Sequence, residues 1–151
     1  MIQGLRPTPE DKRDFKLGSI VKPLNLREIA GLDFVVGEGD ILDQKETDKC
    51  VAYASNAASA LQENQPLDPH WAFAVGKMIE GDIEGYGLNL RIGLKIHTKY
   101  GVIEYGGDIE SRNIKDYPEK NFDIAKEHLK KSYFKVQSNG YLDLFDALRA
   151  S

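Results

Sequence analysis

Apolar residues recur at helical spacing in three stretches in the middle of the chain. The first begins at the only cysteine, Cys50, and continues to about residue 64. Asp48, two residues earlier, is a residue type favoured at helix N-caps, so the thiol is expected in the first helical turn. The spacing of three or four residues predicts one apolar helix face. Its members are Val51, Ala52, Ala54, Ala57, Ala58 and Leu61.

The second and third stretches predict two more helices. Asp68 followed by Pro69 is typical of a helix start, and we predict a helix from 69 to about 80. A third helix is predicted from about 88 to 100, with Gly101 as its C-terminal stop. Its inward residues are expected to be Leu90, Leu94 and Ile96. The three helices predict a mainly α domain with little sheet.

The regions on either side of these helices have weaker patterns. Prolines and glycines punctuate residues 1–40, which we interpret as an irregular N-terminal lead. A charged helix is expected from about 121 to 131, a short strand at 133–136 and a terminal helix at 141–150. The chain is therefore divided into the lead and one domain at 41–151.

Composition and charge limit the classes of function. The chain has 151 residues, of which 41% are hydrophobic and 29% charged, as in an ordinary soluble domain. Its net charge of −4 gives no reason to expect a nucleic-acid or membrane partner. No apolar run could cross a bilayer, and no signal peptide is visible. With a single cysteine, we expect the cytoplasm, or a virion if the protein is phage-encoded.

Cys50 is the main candidate for chemistry. A thiolate at a helix N-terminus is stabilised by unpaired backbone N–H groups, which lower the pKa of the thiol and make it nucleophilic. Gln44 lies six residues earlier, and its amide can stabilise an oxyanion together with the N–H of Cys50. The alternative is structural, because a lone cysteine is commonly a small buried hydrophobe.

Other candidate chemistry is weaker. No spacing of cysteine and histidine is typical of a metal site, and we expect neither a metal nor a cofactor. The acidic pairs Asp40 with Asp43 and Asp108 with Glu110 are interpreted as solvated loop residues. The three histidines are interpreted as structural; they are His70, His97 and His128.

The residues around Cys50 resemble the nucleophile segment of papain-like cysteine peptidases. In that family a glutamine, five residues and a cysteine are followed by any residue, alanine, an aromatic and a small residue. The pattern is filled in register by Gln44, Cys50, Ala52, Tyr53 and Ala54. Segments resembling the family follow in the same order at 67–73, 85–87, 100–104 and 117–118. The chain departs from the family at Asp48, Lys49 and Val51, where Gly, Ser and Trp are usual.

The resemblance implies a fold, a mechanism and a groove. The fold is the left-hand helical domain of a papain-like peptidase of divergent bacterial or phage type, with the central helix starting at Cys50. Cys50 would attack the peptide carbonyl and Gln44 would stabilise the oxyanion. The substrate groove would be bordered by Gly85, Tyr86 and Gly87. The family's histidine, about 130 residues beyond the cysteine and followed by an asparagine, would fall past the last residue of this sequence.

Two functions from different classes therefore stay open. The first is a cysteine endopeptidase of peptide or protein substrates, whose histidine and asparagine come from a second chain or domain. The second is a non-catalytic binding or structural module, present as a homo-oligomer or paired with a second chain. An isolated half-fold would expose apolar surface that favours such association. We expect the 151-residue chain alone not to hydrolyse peptides.

Overall fold

Helix α1 (Cys50–Glu63) begins at the cysteine and is the longest helix among the described residues. The computed structural model describes residues 5–9, 42–106 and 109–131, all of which belong to one compact unit. α1 ends at Asn64, whose left-handed backbone (φ 55°) lets its N–H donate to the carbonyl of Ala60. The sequence therefore predicted this helix to within one residue.

Helix α2 (Pro69–Glu80) has the predicted bounds because local chemistry fixes both ends. The Asp68 carboxylate accepts hydrogen bonds from the N–H groups of His70 and Trp71. Pro69 occupies the first helical position, where a missing N–H leaves no hydrogen bond unmade. Gly81, with φ 71°, ends the helix.

The hydrophobic core is centred on α2. Trp71 is fully buried, and its indole N–H donates to the carbonyl of Gly101 at 3.2 Å. Its ring meets those of Tyr117 and Phe122 edge-on, with centroids 5.3 and 5.0 Å away. The segment that contains Tyr117 and Phe122 is therefore held against this helix. Other buried apolar residues of the core are Val51, Leu67, Phe73, Val75, Leu88, Ile96, Val102 and Ala125.

Two short strands form the only ladder of named strands in the described part of the chain. β1 (Leu5–Arg6) pairs in parallel with β2 (Leu88–Asn89). β1 lies in the region that the sequence analysis interpreted as irregular. The strand at 133–136, the helix at 141–150 and most of the lead at 1–40 lie outside the described residues, so the division into two regions stays a prediction.

The third predicted helix begins later than expected. The Asn89 side chain accepts the N–H of Ile92, so α3 starts two residues beyond the predicted boundary, at Leu90–Lys95. It continues as a π-helix (Ile96–Tyr100) that ends at Gly101. In this register Ile96 is fully buried, as predicted, whereas Leu90 is 48% exposed, so its inward assignment was wrong.

The remaining elements are short. A 3₁₀ turn (Ile114–Asp116) interrupts the long loop after α3, and α4 (Asn121–Ala125) continues as a second 3₁₀ turn (Lys126–His128). The helix predicted from about 121 to 131 is therefore an irregular helical stretch that ends at His128, about three residues earlier than predicted, where Leu129 is extended. The described residues confirm a mainly helical domain with little sheet. None of their helices is both long and apolar enough to span a membrane.

Helix α1 buries only the first part of the face that its apolar pattern predicted, namely Val51 and Ala52, and beyond them it buries polar positions. Ser59 is buried and bonds to the Nδ1 of His97 at 3.1 Å, and Ser55 bonds back to the carbonyl of Ala52. Their partners let these polar side chains face the interior. The buried positions are Val51, Ala52, Ser55, Asn56 and Ser59. The exposed positions include Ala54, Ala57, Ala58 and Leu61.

Candidate active site

Cys50 is the first residue of α1 and is partly exposed. Lys49 holds the N-cap position and makes no side-chain capping bond. The prediction that Asp48 is the N-cap was wrong, because its carboxylate bonds to groups outside the helix. It accepts the N–H of Gly87 at 2.8 Å and pairs with Arg112. The start of the helix is therefore tied to residues distant in sequence.

The surroundings of Cys50 raise the pKa of its thiol, contrary to our expectation. Burial is the largest cause, since it disfavours the charged thiolate, and the negative charge of Asp48 adds to it. The backbone N–H groups of Val51 and Cys50 act in the opposite direction, as expected at a helix N-terminus. They do not outweigh burial. The net effect of these surroundings therefore favours the thiol over the thiolate.

Gln44 lies in the loop that leads to α1. Its Nε2 donates to the carbonyl of Thr47 at 3.0 Å, and the Thr47 hydroxyl donates to the carbonyl of Gln44 at 2.8 Å. This reciprocal pair fixes the turn just before the cysteine. An amide nitrogen carries two hydrogens, so the turn uses one of the two donors of Gln44.

The three predicted groove residues form one continuous segment, and Asp48 contacts the last of them, Gly87. Gly85 is half-buried, Tyr86 is 56% exposed and Gly87 is buried. Gly87 has φ 59°, a backbone conformation that favours glycine. Its N–H donates to Asp48 and its carbonyl accepts from Lys77 at 2.8 Å. Hydrogen bonding thus joins the segment of Gly85, Tyr86 and Gly87 (the glycine segment) to the loop that precedes Cys50.

Arg112 is a site residue that the sequence analysis missed. Its guanidinium pairs with both carboxylate oxygens of Asp48, at 3.0 and 3.2 Å. Burial raises the pKa of Asp48, but the Gly87 N–H and Arg112 outweigh burial and lower it. An arginine in a loop 64 residues away has no sequence periodicity or motif that could reveal this partnership.

His70 lies beside α1, but its ring nitrogens are occupied. Its Nδ1 is 2.7 Å from the Lys49 ammonium, and its Nε2 is 3.3 Å from the Tyr53 hydroxyl. Burial, followed by the charge of Lys49, lowers the pKa of His70. Burial also lowers the pKa of Lys49. This imidazole is therefore the middle member of a hydrogen-bonded chain from Lys49 to Tyr53.

The other two histidines are also paired away from the thiol. His97 is buried against Ser59, and burial lowers its pKa to about 4. His128 lies 2.5 Å from a carboxylate oxygen of Glu63, at the far end of α1. The described residues thus place each histidine on a partner other than Cys50. Nor do they bring together three or more His, Cys, Asp or Glu residues that could hold a metal ion.

Comparison with known proteins identifies the fold. No family model matches the sequence, and no curated protein matches it. Among solved structures, it matches xylellain, a cysteine protease from Xylella fastidiosa, with a TM-score of 0.73 and 21% identity. The match covers 98% of this chain and 61% of that one. The chain has the fold of a helical papain-like domain.

Proposed function

We propose that this chain carries the nucleophile of a papain-like cysteine peptidase. The observation that carries the proposal is the position of Cys50, which is partly exposed at the start of the central helix of this fold. Its Sγ would attack a peptide carbonyl, and the C–N bond would break to release the amine. Water would then hydrolyse the resulting thioester and return the thiol.

Two groups before and at the helix start would stabilise the negative charge on the attacked carbonyl oxygen. Gln44 is held in the turn before α1, and its remaining N–H is one donor. The backbone N–H of Cys50 would be the other, since N–H groups of the first turn have no partner within the helix. Gly85, Tyr86 and Gly87 would border the extended substrate, since glycine permits close approach of a second backbone.

We propose that the general base is a histidine, oriented by an asparagine, from a second domain or chain. The raised pKa of Cys50 makes a base necessary for forming the thiolate. The three histidines of the sequence are bonded to other partners. The chain spans 61% of the length of the xylellain chain, which leaves room in that fold for such a region. An imidazolium beside Cys50 would lower the pKa of the thiol.

A non-catalytic module is the second candidate. Two observations favour it. The pKa of the Cys50 thiol is raised. One face of α1 also exposes small apolar side chains together with Leu61, which is 40% exposed. Such a face suits a second copy or a partner chain. In this case Cys50 would be a packing residue, and its removal would change association or stability without changing any hydrolysis.

The test compares peptide hydrolysis by the 151-residue chain alone with hydrolysis by the natural protein, isolated together with any second domain or chain that accompanies it. We expect no hydrolysis of fluorogenic peptides by the chain alone, and hydrolysis where a second domain or chain supplies the histidine. Cys50→Ala should abolish the activity. Gln44→Ala should reduce turnover by about 10²–10³-fold, the usual cost of losing one oxyanion donor. Hydrolysis that persists in Cys50→Ala would exclude this nucleophile, and complete inactivity of the natural protein would favour the module.

A further inference from the structure

We infer that Asp48, Lys77 and Arg112 form a charged clamp that positions the backbone of residues 83–87 beside the start of α1. The inference rests on the proposed function, because it makes this segment the edge on which an extended substrate lies. Arg112 is the centre of the clamp. It acts as a positioning residue, since it touches the segment and Asp48 rather than the thiol.

All of the guanidinium nitrogens of Arg112 take part. Besides the pair with Asp48, Nη2 donates to the carbonyl of Gly85 at 2.7 Å and Nε donates to the carbonyl of Ile83 at 3.1 Å. The planar fork can reach a carboxylate and two carbonyls together, which a lysine ammonium cannot do in the same geometry. One side chain therefore fixes two carbonyls of the segment and the carboxylate before Cys50.

Gly87 is held on both of its backbone polar groups. Its N–H donates to Asp48 and its carbonyl accepts from the Lys77 ammonium. Lys77 is fully buried on α2, where Glu80 lies 3.3 Å from its Nζ. A buried charge is retained at such a position only when its partners are well placed. Gly87 is therefore bonded to both helix α2 and the loop that precedes α1.

The two cations of the clamp both lie near the same buried aromatic ring. Arg112 Cζ lies 5.1 Å and Lys77 Nζ 5.5 Å from the centroid of the Phe73 ring. Phe73 is fully buried in α2, so its position is set by the core. Cation–π attraction adds to the hydrogen bonds in fixing both side chains. The positions of both cations are therefore fixed relative to the hydrophobic core of the unit.

Besides the clamp, the exposed Asp82 accepts the N–H of Gly85 at 2.8 Å, a bond between near neighbours in the sequence that does not tie the segment to the rest of the unit. Ile83, Glu84 and Tyr86 are exposed and Gly85 has no side chain, so apolar burial contributes little to its position. A peptide that binds along backbone groups needs those groups at fixed positions before it arrives. Loosening the clamp should therefore weaken substrate binding more than it slows bond cleavage.

The test uses the natural protein with Arg112→Met, Arg112→Lys and the control Lys115→Met, an exposed residue of the same stretch. Arg112→Met should raise KM by about tenfold or more, because charge-assisted hydrogen bonds are lost, with a much smaller change in kcat. Arg112→Lys should recover part of the loss. An unchanged KM in Arg112→Met, or an equal rise in Lys115→Met, would overturn the inference.

A second readout separates this inference from the proposed function. Amide hydrogen exchange across residues 83–87 should be about tenfold faster or more in Arg112→Met than in the wild type and in Lys115→Met. If the wild-type protein hydrolyses no peptide, the proposed function fails and exchange alone decides on the clamp. Equal exchange rates in all three proteins would then overturn it.

Discussion

Two opposing effects act on the thiol of Cys50. The start of α1 provides N–H groups that favour the thiolate, as the sequence predicted, but burial and Asp48 disfavour it more strongly. A sequence shows where a helix can start, but it does not show how much of a side chain is covered there. The predicted location of the cysteine was therefore right, and the predicted direction of its pKa shift was wrong.

The residues around Cys50 were predictable to different extents. Local motifs in the sequence identified Gln44 and the glycine segment as candidates. The hydrogen bond from Gly87 to Asp48 places that segment beside the loop that precedes Cys50. Their roles stay predictions. Arg112 could not be found from the sequence, since its partners are a carboxylate and two carbonyls far along the chain. Contacts of this kind are fixed by tertiary structure alone.

His97 should make the stability of the unit depend on pH. Its folded pKa is about 4, below the ordinary value of 6.5, because the neutral ring is buried near Lys130, with Glu63 opposing. The unfolded chain therefore binds more protons between these values. The contribution of His97 to the free energy of unfolding is therefore fully present above about pH 6.5 and is lost as the pH decreases toward 4.

Chemical denaturation at pH 7.5 and pH 5 measures this effect. We expect His97 to account for about 2 kcal/mol of the loss in unfolding free energy over that interval. His97→Asn should remove that part of the loss, while the carboxylates titrate equally in both proteins. The same pH dependence in wild type and variant would show that folding does not lower the pKa of His97.

At the scale of elements, helix ends were predicted better than helix faces. Asp68, Pro69 and Gly101 gave the correct boundaries because capping depends on local backbone chemistry. The predicted face of α1 was right at Val51 and Ala52 but wrong beyond them, because the buried Ser55 and Ser59 have hydrogen-bond partners, which hydrophobicity alone does not anticipate. The first two residues predicted for the third helix, Leu88 and Asn89, instead form a strand that pairs with β1, a long-range contact.

Gly101 should be irreplaceable at the end of the π-helix. Its φ is 77°, and an added Cβ would overlap the carbonyl oxygen of Ala125 in α4. Gly101→Ala should therefore cost roughly 3 kcal/mol or more of unfolding free energy. The matched control is Gly106→Ala, where a Cβ meets no atom within 4 Å and the expected change is within about 0.5 kcal/mol. Equal midpoints for the two variants in urea would contradict this account of the helix end.

At the scale of the whole molecule, the fold was predictable because its three central helices follow from periodicity and capping. The match to xylellain over 98% of this chain shows the fold of a helical papain-like domain. At 21% identity, that match does not carry the chemistry with it. The proposal of a peptidase depends on the accessible thiol and its neighbours, and on a base that the paired histidines of this chain do not provide.

The most direct measurement is covalent trapping by a peptide electrophile, followed by mass spectrometry of the intact protein and of its fragments. The natural protein should form one adduct, on Cys50, at a rate that a competing peptide substrate reduces. The adduct should be absent in Cys50→Ala, and hydrolysis should stop as labelling becomes complete. Continued peptide hydrolysis by fully labelled protein, or an adduct on another residue that accompanies loss of activity, would contradict the assignment of Cys50 as the nucleophile.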